Sequence, residues 1–113
     1  MTTPFEELAN LDKLIHEPAR LAILTALSAC ESADFISLRR LTGLSDGNLS
    51  VQLSKLEEAG LLNIQKQFVA KKSSTQVKIT KKGISAIQRY WELLNAIKQN
   101  ADAWQGNPIE KKY

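Results

Sequence analysis

Asn48, Val51, Gln52 and Lys55 recur at spacings of three and four, in a stretch that also holds Gly47, Ser50 and Ser54. Leu49, Leu53 and Leu56 interleave with them at the same spacings. On a helix turning about 100° per residue the three leucines lie within about 60° of one another and point into a core. Gly47, Asn48, Val51, Ser54 and Lys55 then fall mainly on the opposite side, with Ser50 and Gln52 flanking. A helix that meets only water would carry more charge there. This face is small, polar and nearly uncharged, which suits close approach to a groove about 12 Å wide. The amides of Asn48 and Gln52 can bond adenine edges, Val51 can touch a thymine methyl, and Lys55 can reach phosphate or guanine. Asp46 either accepts from cytosine or only favours the helix N-terminus. A plainly solvated face is the alternative.

A second constellation is electrostatic. Between Ala59 and Trp91 stand Lys66, Lys71, Lys72, Lys78, Lys81, Lys82 and Arg89, with no carboxylate. The whole chain carries +3 and this stretch +7, so the remainder is at −4. Such segregation is the footprint of a polyanion partner, or else of a merely solvated surface. Catalysis has no comparable support. His16 is the lone histidine, no Gly-Lys-Ser/Thr phosphate loop occurs, and no ligands stand at metal spacing. The expectation is therefore no enzyme, no cofactor and no metal. Cys30, the single cysteine, reads as a small residue near a helix end, with a redox-sensing thiol as the alternative.

These residues need elements to position them. Thr2 or Thr3 caps a first helix opened by Pro4, with Phe5, Leu8, Leu11, Leu14 and Ile15 as its stripe. Pro18 breaks that run and opens a second helix rich in Leu, Ile and Ala, apolar on much of its circumference and so central. Asp34-Phe35-Ile36 is expected as a minimal edge strand, and Ser37 as the cap of a brief helix, Leu38 to Thr42. Gly43-Leu44-Ser45 turns the chain, Ser45 caps a helix from Asp46 to Ala59, and Gly60 stops it. A helix, a tight glycine-containing turn and a helix make a helix-turn-helix.

Beyond Gly60 the period shortens toward two. Leu62, Ile64 and Phe68 alternate with polar residues as far as Val69, and Val77 and Ile79 share a face in a second strand. The connecting stretch, about residues 70–75, is cationic. It lacks an Asn-Gly or Asp-Gly pair, so a loop longer than two residues is expected. Thr80 caps a last helix from Lys81 to about Trp104, and about 22 helical residues would span about 33 Å. A domain of this length offers little core to its far end, so Trp91, Leu94, Ile97, Ala101 and Trp104 are expected to meet a second copy. A small-molecule effector pocket lined by the tryptophans is the alternative.

The run Leu44-Ser45-Asp46-Gly47-Asn48-Leu49-Ser50-Val51-Gln52-Leu53-Ser54-Lys55-Leu56-Glu57-Glu58-Ala59-Gly60-Leu61-Leu62 resembles the winged helix-turn-helix regulators of the MarR and ArsR type. Those families share a recognition helix ending in Leu-x-x-Leu-x-x-x-Gly-Leu, followed by a hairpin wing. Leu14 to Leu24 resembles their first core helix, and Lys78-Ile79-Thr80-Lys81-Lys82-Gly83 the junction from wing to last helix. The resemblance runs from about Leu11 to about Leu94. It implies a bacterial or archaeal transcription regulator, usually homodimeric, that binds pseudo-palindromic double-stranded DNA. Arg39 and Arg40 then sit on the helix that crosses the DNA backbone, where one meets a phosphate. The alternative for them is an ion pair with Glu57 or Glu58. Lys71 and Lys72 become phosphate or minor-groove contacts, with Ser73, Ser74 and Thr75 as neutral donors. One departure matters: Leu38-Arg39-Arg40-Leu41-Thr42 lacks the paired cysteines of the metal-sensing ArsR branch, so metal sensing at that site is not expected.

The expected architecture is mainly helical with a small β-hairpin wing (α+β), one domain over residues 1–105 and a flexible tail over 106–113. The 113 residues, 43% hydrophobic and 24% charged, suit one globular domain. No secretory signal or membrane-spanning run is visible, which places the expectation in the cytoplasm. A winged-helix adaptor that binds protein instead of reading DNA is the rival function, because fold does not fix function.

Overall fold

The computed structural model describes residues 3–106, the side chain of Val69 excepted. Thr2, one of the two possible first caps, and nearly all of the expected tail lie outside that range. The elements run α1 (Pro4–Ala9), α2 (Pro18–Cys30), β1 (Ser32–Asp34), α3 (Phe35–Thr42), α4 (Asp46–Glu58), β2 (Leu62–Val69), β3 (Lys72–Ile79) and α5 (Lys81–Asp102). The strands form one antiparallel sheet in the order β1-β3-β2. This is a winged-helix architecture, mainly helical with a small hairpin, as the sequence predicts.

Side-chain caps set most helix starts. The Thr3 hydroxyl accepts from the Glu6 N–H, the Ser45 hydroxyl from Asn48 N–H and the Thr80 hydroxyl from Gly83 N–H. Gly43 ends α3 with a left-handed φ of 71°. The core is built around α2, whose Ile23, Leu24 and Leu27 are fully buried. Leu38 of α3, Leu49, Leu53 and Leu56 of α4, Leu62 and Val77 of the sheet, and Ile87 of α5 close over them.

Four local expectations change. The first helix ends at Ala9 and its stripe does not continue to Ile15 as one helix. The Asn10 amide donates to the Glu6 carbonyl, and the Asp12 carboxylate then accepts from Leu14 N–H in a tight turn. Leu11 and Ile15 are buried all the same, carried by the connection rather than the helix. The edge strand lies earlier, at Ser32–Asp34, and pairs with β3 from Ser32↔Lys78 to Asp34↔Gln76. Asp34, not Ser37, caps α3, so Phe35 and Ile36 are helical. The backbone N–H of Ser37, and then its hydroxyl, hold the Asp34 carboxyl below the ordinary aspartate range.

The hairpin turn is also shorter than expected. Val69 pairs with Lys72, leaving only Ala70 and Lys71 between the strands, at φ of 52° and 66°. Two successive left-handed residues are the mirror-image turn that matches strand twist. Here it is made without glycine or asparagine, at a steric cost of about 1–2 kcal/mol per residue.

The far end of α5 is partly covered by its own chain. Ile97 is only 2% exposed, and Phe5 of α1 meets Trp104 edge-on at 5.5 Å between ring centres. The same chain's α1 therefore covers much of the stripe. The His16 ring nitrogen Nδ1 lies 2.7 Å from the Tyr90 hydroxyl and ties the α1–α2 connection to α5.

At its near end α5 presses on the root of the wing. A Cβ at Gly83 would stand 2.0 Å from the Leu61 carbonyl oxygen and 2.8 Å from Ile79. A backbone atom cannot step aside as a side-chain tip can. Gly83→Ala is thus expected to cost about 3 kcal/mol and to lower the Tm by more than about 10 °C, and an unchanged Tm would contradict the contact. Asp34→Ala should cost about 1 kcal/mol at pH 7. Because folding lowers this carboxyl's pKa, its stabilisation is full above the unfolded value, about 3.9, and is lost as pH falls through the folded one. Urea unfolding should therefore show the gap between wild type and Asp34→Ala shrinking below about pH 4, whereas a gap independent of pH would contradict the cap.

Candidate nucleic-acid interface

The leucine edge of α4 is turned into the core, which leaves its other side outward. Gly47, Asn48, Ser50, Val51, Ser54 and Lys55 are exposed, Val51 by 52%. Asp46 stands in the first turn, where a carboxylate complements the helix dipole, and it also binds Arg39 at 2.9 Å. Both partners are well exposed, so this pair contributes little to stability. Neither Glu57 nor Glu58 is the ion-pair partner of Arg39. Glu57 instead accepts from the Ile64 N–H at 2.7 Å, fastening the wing's first strand to α4. Arg40 is exposed one residue further along α3.

Gln52 is placed differently from its neighbours. It is half-buried, and both ends of its amide are engaged within the chain. Its Oε1 accepts from Arg20 Nη1 at 2.8 Å, and its Nε2 donates to Asn48 Oδ1 at 3.0 Å. Arg20, on α2, also donates from Nε to the Leu14 carbonyl and from Nη2 to the Lys13 carbonyl. Glu17 caps α2 by accepting from Ala19 and Arg20 N–H and lies 3.6 Å from the Arg20 guanidinium. Burial alone would raise the Glu17 pKa. The two backbone hydrogen bonds, with the charges of Arg20 and Lys55, outweigh burial and leave it lowered. The sequence did not single out Arg20, because its partners lie on a loop and on a helix 32 residues away.

The wing leaves the end of α4 through Ala59, Gly60 and Leu61. On it Lys66, Lys71, Lys72 and Lys78 are exposed, as is Ser73, while Ser74 and Thr75 are half-buried. Ser74, Thr75 and Ser73 belong to β3 and not to a loop. Phe68, expected to alternate with the core residues Leu62 and Ile64, is 79% exposed. It keeps their face of the strand, opposite Ser73, but stands beyond the edge of the core. An exposed aromatic on a lysine-bearing hairpin is a further candidate contact that alternation alone assigns to the interior.

On α5, Trp91 is 43% exposed and donates to the Thr25 hydroxyl of α2 at 3.3 Å. Leu94, Ala101 and Trp104 are half-buried, and Ile97 is buried within its own chain. Phe5, Leu8 and Leu93 are the other large apolar side chains exposed on α1 and α5. Cys30 is exposed at the end of α2, its thiol directed at the Ala26 carbonyl. Among the described residues no helix is long and apolar enough to cross a membrane.

A helix-turn-helix whose second helix shows a small neutral face, followed by a cationic hairpin, defines a winged-helix module of nucleic-acid-binding type. Residues 19–97 match the family model described as Winged helix DNA-binding domain, and the chain belongs to that family. It is 36% identical over 87 residues to an uncharacterised protein of Methanocaldococcus jannaschii, covering 76% of this chain and 95% of that protein. The solved transcriptional regulator homologue of Pyrococcus horikoshii OT3 superposes with a TM-score of 0.79 at 29% identity, over 86% of this chain and 98% of that one. A MarR-family transcriptional regulator from Silicibacter pomeroyi shares the fold, with a TM-score of 0.63 at 23% identity, over 96% of this chain and 72% of that one.

Proposed function

We propose that this protein is a homodimeric, sequence-specific transcription regulator of the cytoplasm that binds double-stranded DNA. The observation that carries the reading is the pairing of two surfaces. Val51 is exposed on α4 beside Gly47, Asn48 and Ser54, ahead of Lys55 and Glu58, and the hairpin leaving that helix displays four lysines and no acid. Bases demand close, neutral, hydrogen-bonding contact, and phosphates demand cations. In this reading α4 enters the major groove with Asp46, Gly47, Asn48, Ser50, Val51 and Lys55, and Gln52 stands behind them. Lys71, Lys72 and Ser73, with Phe68 beside them, follow the backbone or the adjacent minor groove, and Arg40 lies toward a phosphate. The likeness to the Pyrococcus horikoshii regulator homologue supports a role in transcription.

The dimer seam is revised from the sequence expectation. Ile97 is already filled by its own chain, so Trp91, Leu93, Phe5 and Leu8 supply the exposed apolar surface, with Leu94, Ala101 and Trp104 partly covered behind them. Two-fold symmetry then sets half-sites about 10–10.5 base pairs apart, or a multiple of that.

Mobility-shift titrations of duplex fragments across a salt series test the DNA reading. Affinity should fall by about 0.9 log units per log unit of salt for each phosphate neutralised. Lys71→Ala with Lys72→Ala should weaken all sequences alike and flatten that slope by about 1.8, whereas affinity insensitive to salt would contradict the mechanism. Sedimentation equilibrium tests the assembly. A dimer at micromolar concentration, converted to monomer by Trp91→Asp with Leu93→Asp, is expected, and a wild-type monomer would contradict it.

A further inference from the structure

We propose that Arg20 fixes the hydrogen-bonding polarity of the recognition helix, so that Asn48 meets DNA with amide N–H groups and Gln52 serves as a relay instead of a base reader. This inference rests on the DNA-binding reading above and concerns which base that same surface selects.

The argument starts from what a guanidinium can do. Arginine carries five N–H donors and no acceptor. Arg20 is held in place by the Leu14 and Lys13 carbonyls, and its side chain is only 13% exposed. The group 2.8 Å from its Nη1 must therefore be an oxygen, which settles the Gln52 amide with Oε1 toward Arg20. The other end of that amide is then the NH2, and it lies 3.0 Å from Asn48. An NH2 needs an acceptor, which settles Asn48 with Oδ1 toward Gln52. The remaining end of Asn48, its Nδ2, is left for the outside. Turning Asn48 alone would set NH2 against NH2, and turning both amides would set the Gln52 NH2 against a cation. One sheltered positive charge thus orients two amides in series.

The consequence is a choice among base edges. Adenine offers one acceptor and one donor in the major groove, and an unrestrained Asn or Gln amide matches both. Here the Gln52 amide is spent within the protein, and Asn48 presents donors. Donors suit guanine N7 and O6, thymine O4 and adenine N7, and find no partner on cytosine, whose major-groove edge offers only an amine. Residue type alone suggests two adenine readers. The connected arrangement suggests one donor that accepts guanine, with its two acceptors, and rejects cytosine, with Arg20 and Gln52 as positioning residues.

The test is selection of duplexes by the full-length protein from a randomised pool, followed by sequencing, for wild type and three variants. Wild type should prefer guanine over cytosine by about tenfold at one position of the half-site. Gln52→Glu is the sharpest variant. The introduced carboxylate still accepts from Arg20 but cannot donate, so Asn48 must turn its NH2 inward and its oxygen outward. The preference at that position should reverse in favour of cytosine while neighbouring positions keep theirs. Gln52→Met and Arg20→Met, which cut the relay without imposing a new polarity, should flatten the preference there to within about twofold. Gln52→Met leaves the Arg20 contacts to Lys13 and Leu14 intact and so carries the test if Arg20→Met fails to fold. Duplex binding by wild type and Gln52→Glu with the same preferred base at every position overturns this inference alone. No duplex binding by wild type overturns the function proposed above, and this inference with it.

Discussion

The contact on which the arrangement depends is the approach of α5 to the Leu61 carbonyl, at a distance only a residue without a Cβ can tolerate. That carbonyl also accepts from Thr80 N–H at 3.0 Å, while the Thr80 hydroxyl donates to the Gly60 carbonyl at 2.7 Å. Lys82 reaches the Ala59 carbonyl at 3.0 Å. The last carbonyls of a helix have no partners within it and carry the negative end of its dipole. In α4 the carbonyls of Lys55, Leu56 and Glu57 accept from the N–H groups of Ala59, Leu61 and Gly60. The carbonyls just beyond, of Ala59, Gly60 and Leu61, are bonded by the cap of α5 and by a lysine. The end of α4, the root of the wing and the start of α5 are therefore one joint. The recognition face and the lysines of the hairpin keep a fixed relation because both spring from it.

The opposite end of the same surface is fixed by polar means. Arg20 spans from the α1–α2 connection to Gln52, and Asp46 binds Arg39 across the turn between α3 and α4. The two contacts differ in weight. The first is mostly sheltered from water and made by a planar ion with several oxygen partners, the setting in which arginine holds geometry well. The second is exposed on both sides and sets little beyond local charge. The apolar core under α4 thus decides which face points outward, and the Arg20 contacts decide how the side chains on that face are turned.

Much of this was legible along the chain. Ser45 and Thr80 as caps, Gly43 and Gly60 as stops, and the leucine spacing of α4 are short-range signals, and each meets its partner within a turn or two. The features that were not legible depend on partners distant in sequence or on tolerated strain. Asp34-Phe35-Ile36 looks like a strand by residue type, yet the Asp34 side chain starts a helix there, and the more polar Ser32–Asp34 pairs with β3. Ala70 and Lys71 carry no mark of a left-handed turn and adopt one because eight paired residues on each side hold them. Phe68 keeps the alternation of its strand but outruns the core, which periodicity cannot sense. Ile97 finds cover in α1, at the other end of the chain. The charge segregation was visible from residue counts, whereas the engagement of Gln52 required Arg20 in three dimensions.

The central claim is that the outward face of α4 and the lysine hairpin together form the surface that meets duplex DNA. Backbone amide shifts followed by NMR during titration with a short duplex test it most directly. The account expects the largest changes at Asn48, Val51, Lys55, Phe68, Lys71 and Lys72, with α1 and the exposed side of α2 little affected. Changes concentrated instead around Leu21, Ala26 and Trp91, or no changes on adding duplex, would contradict it.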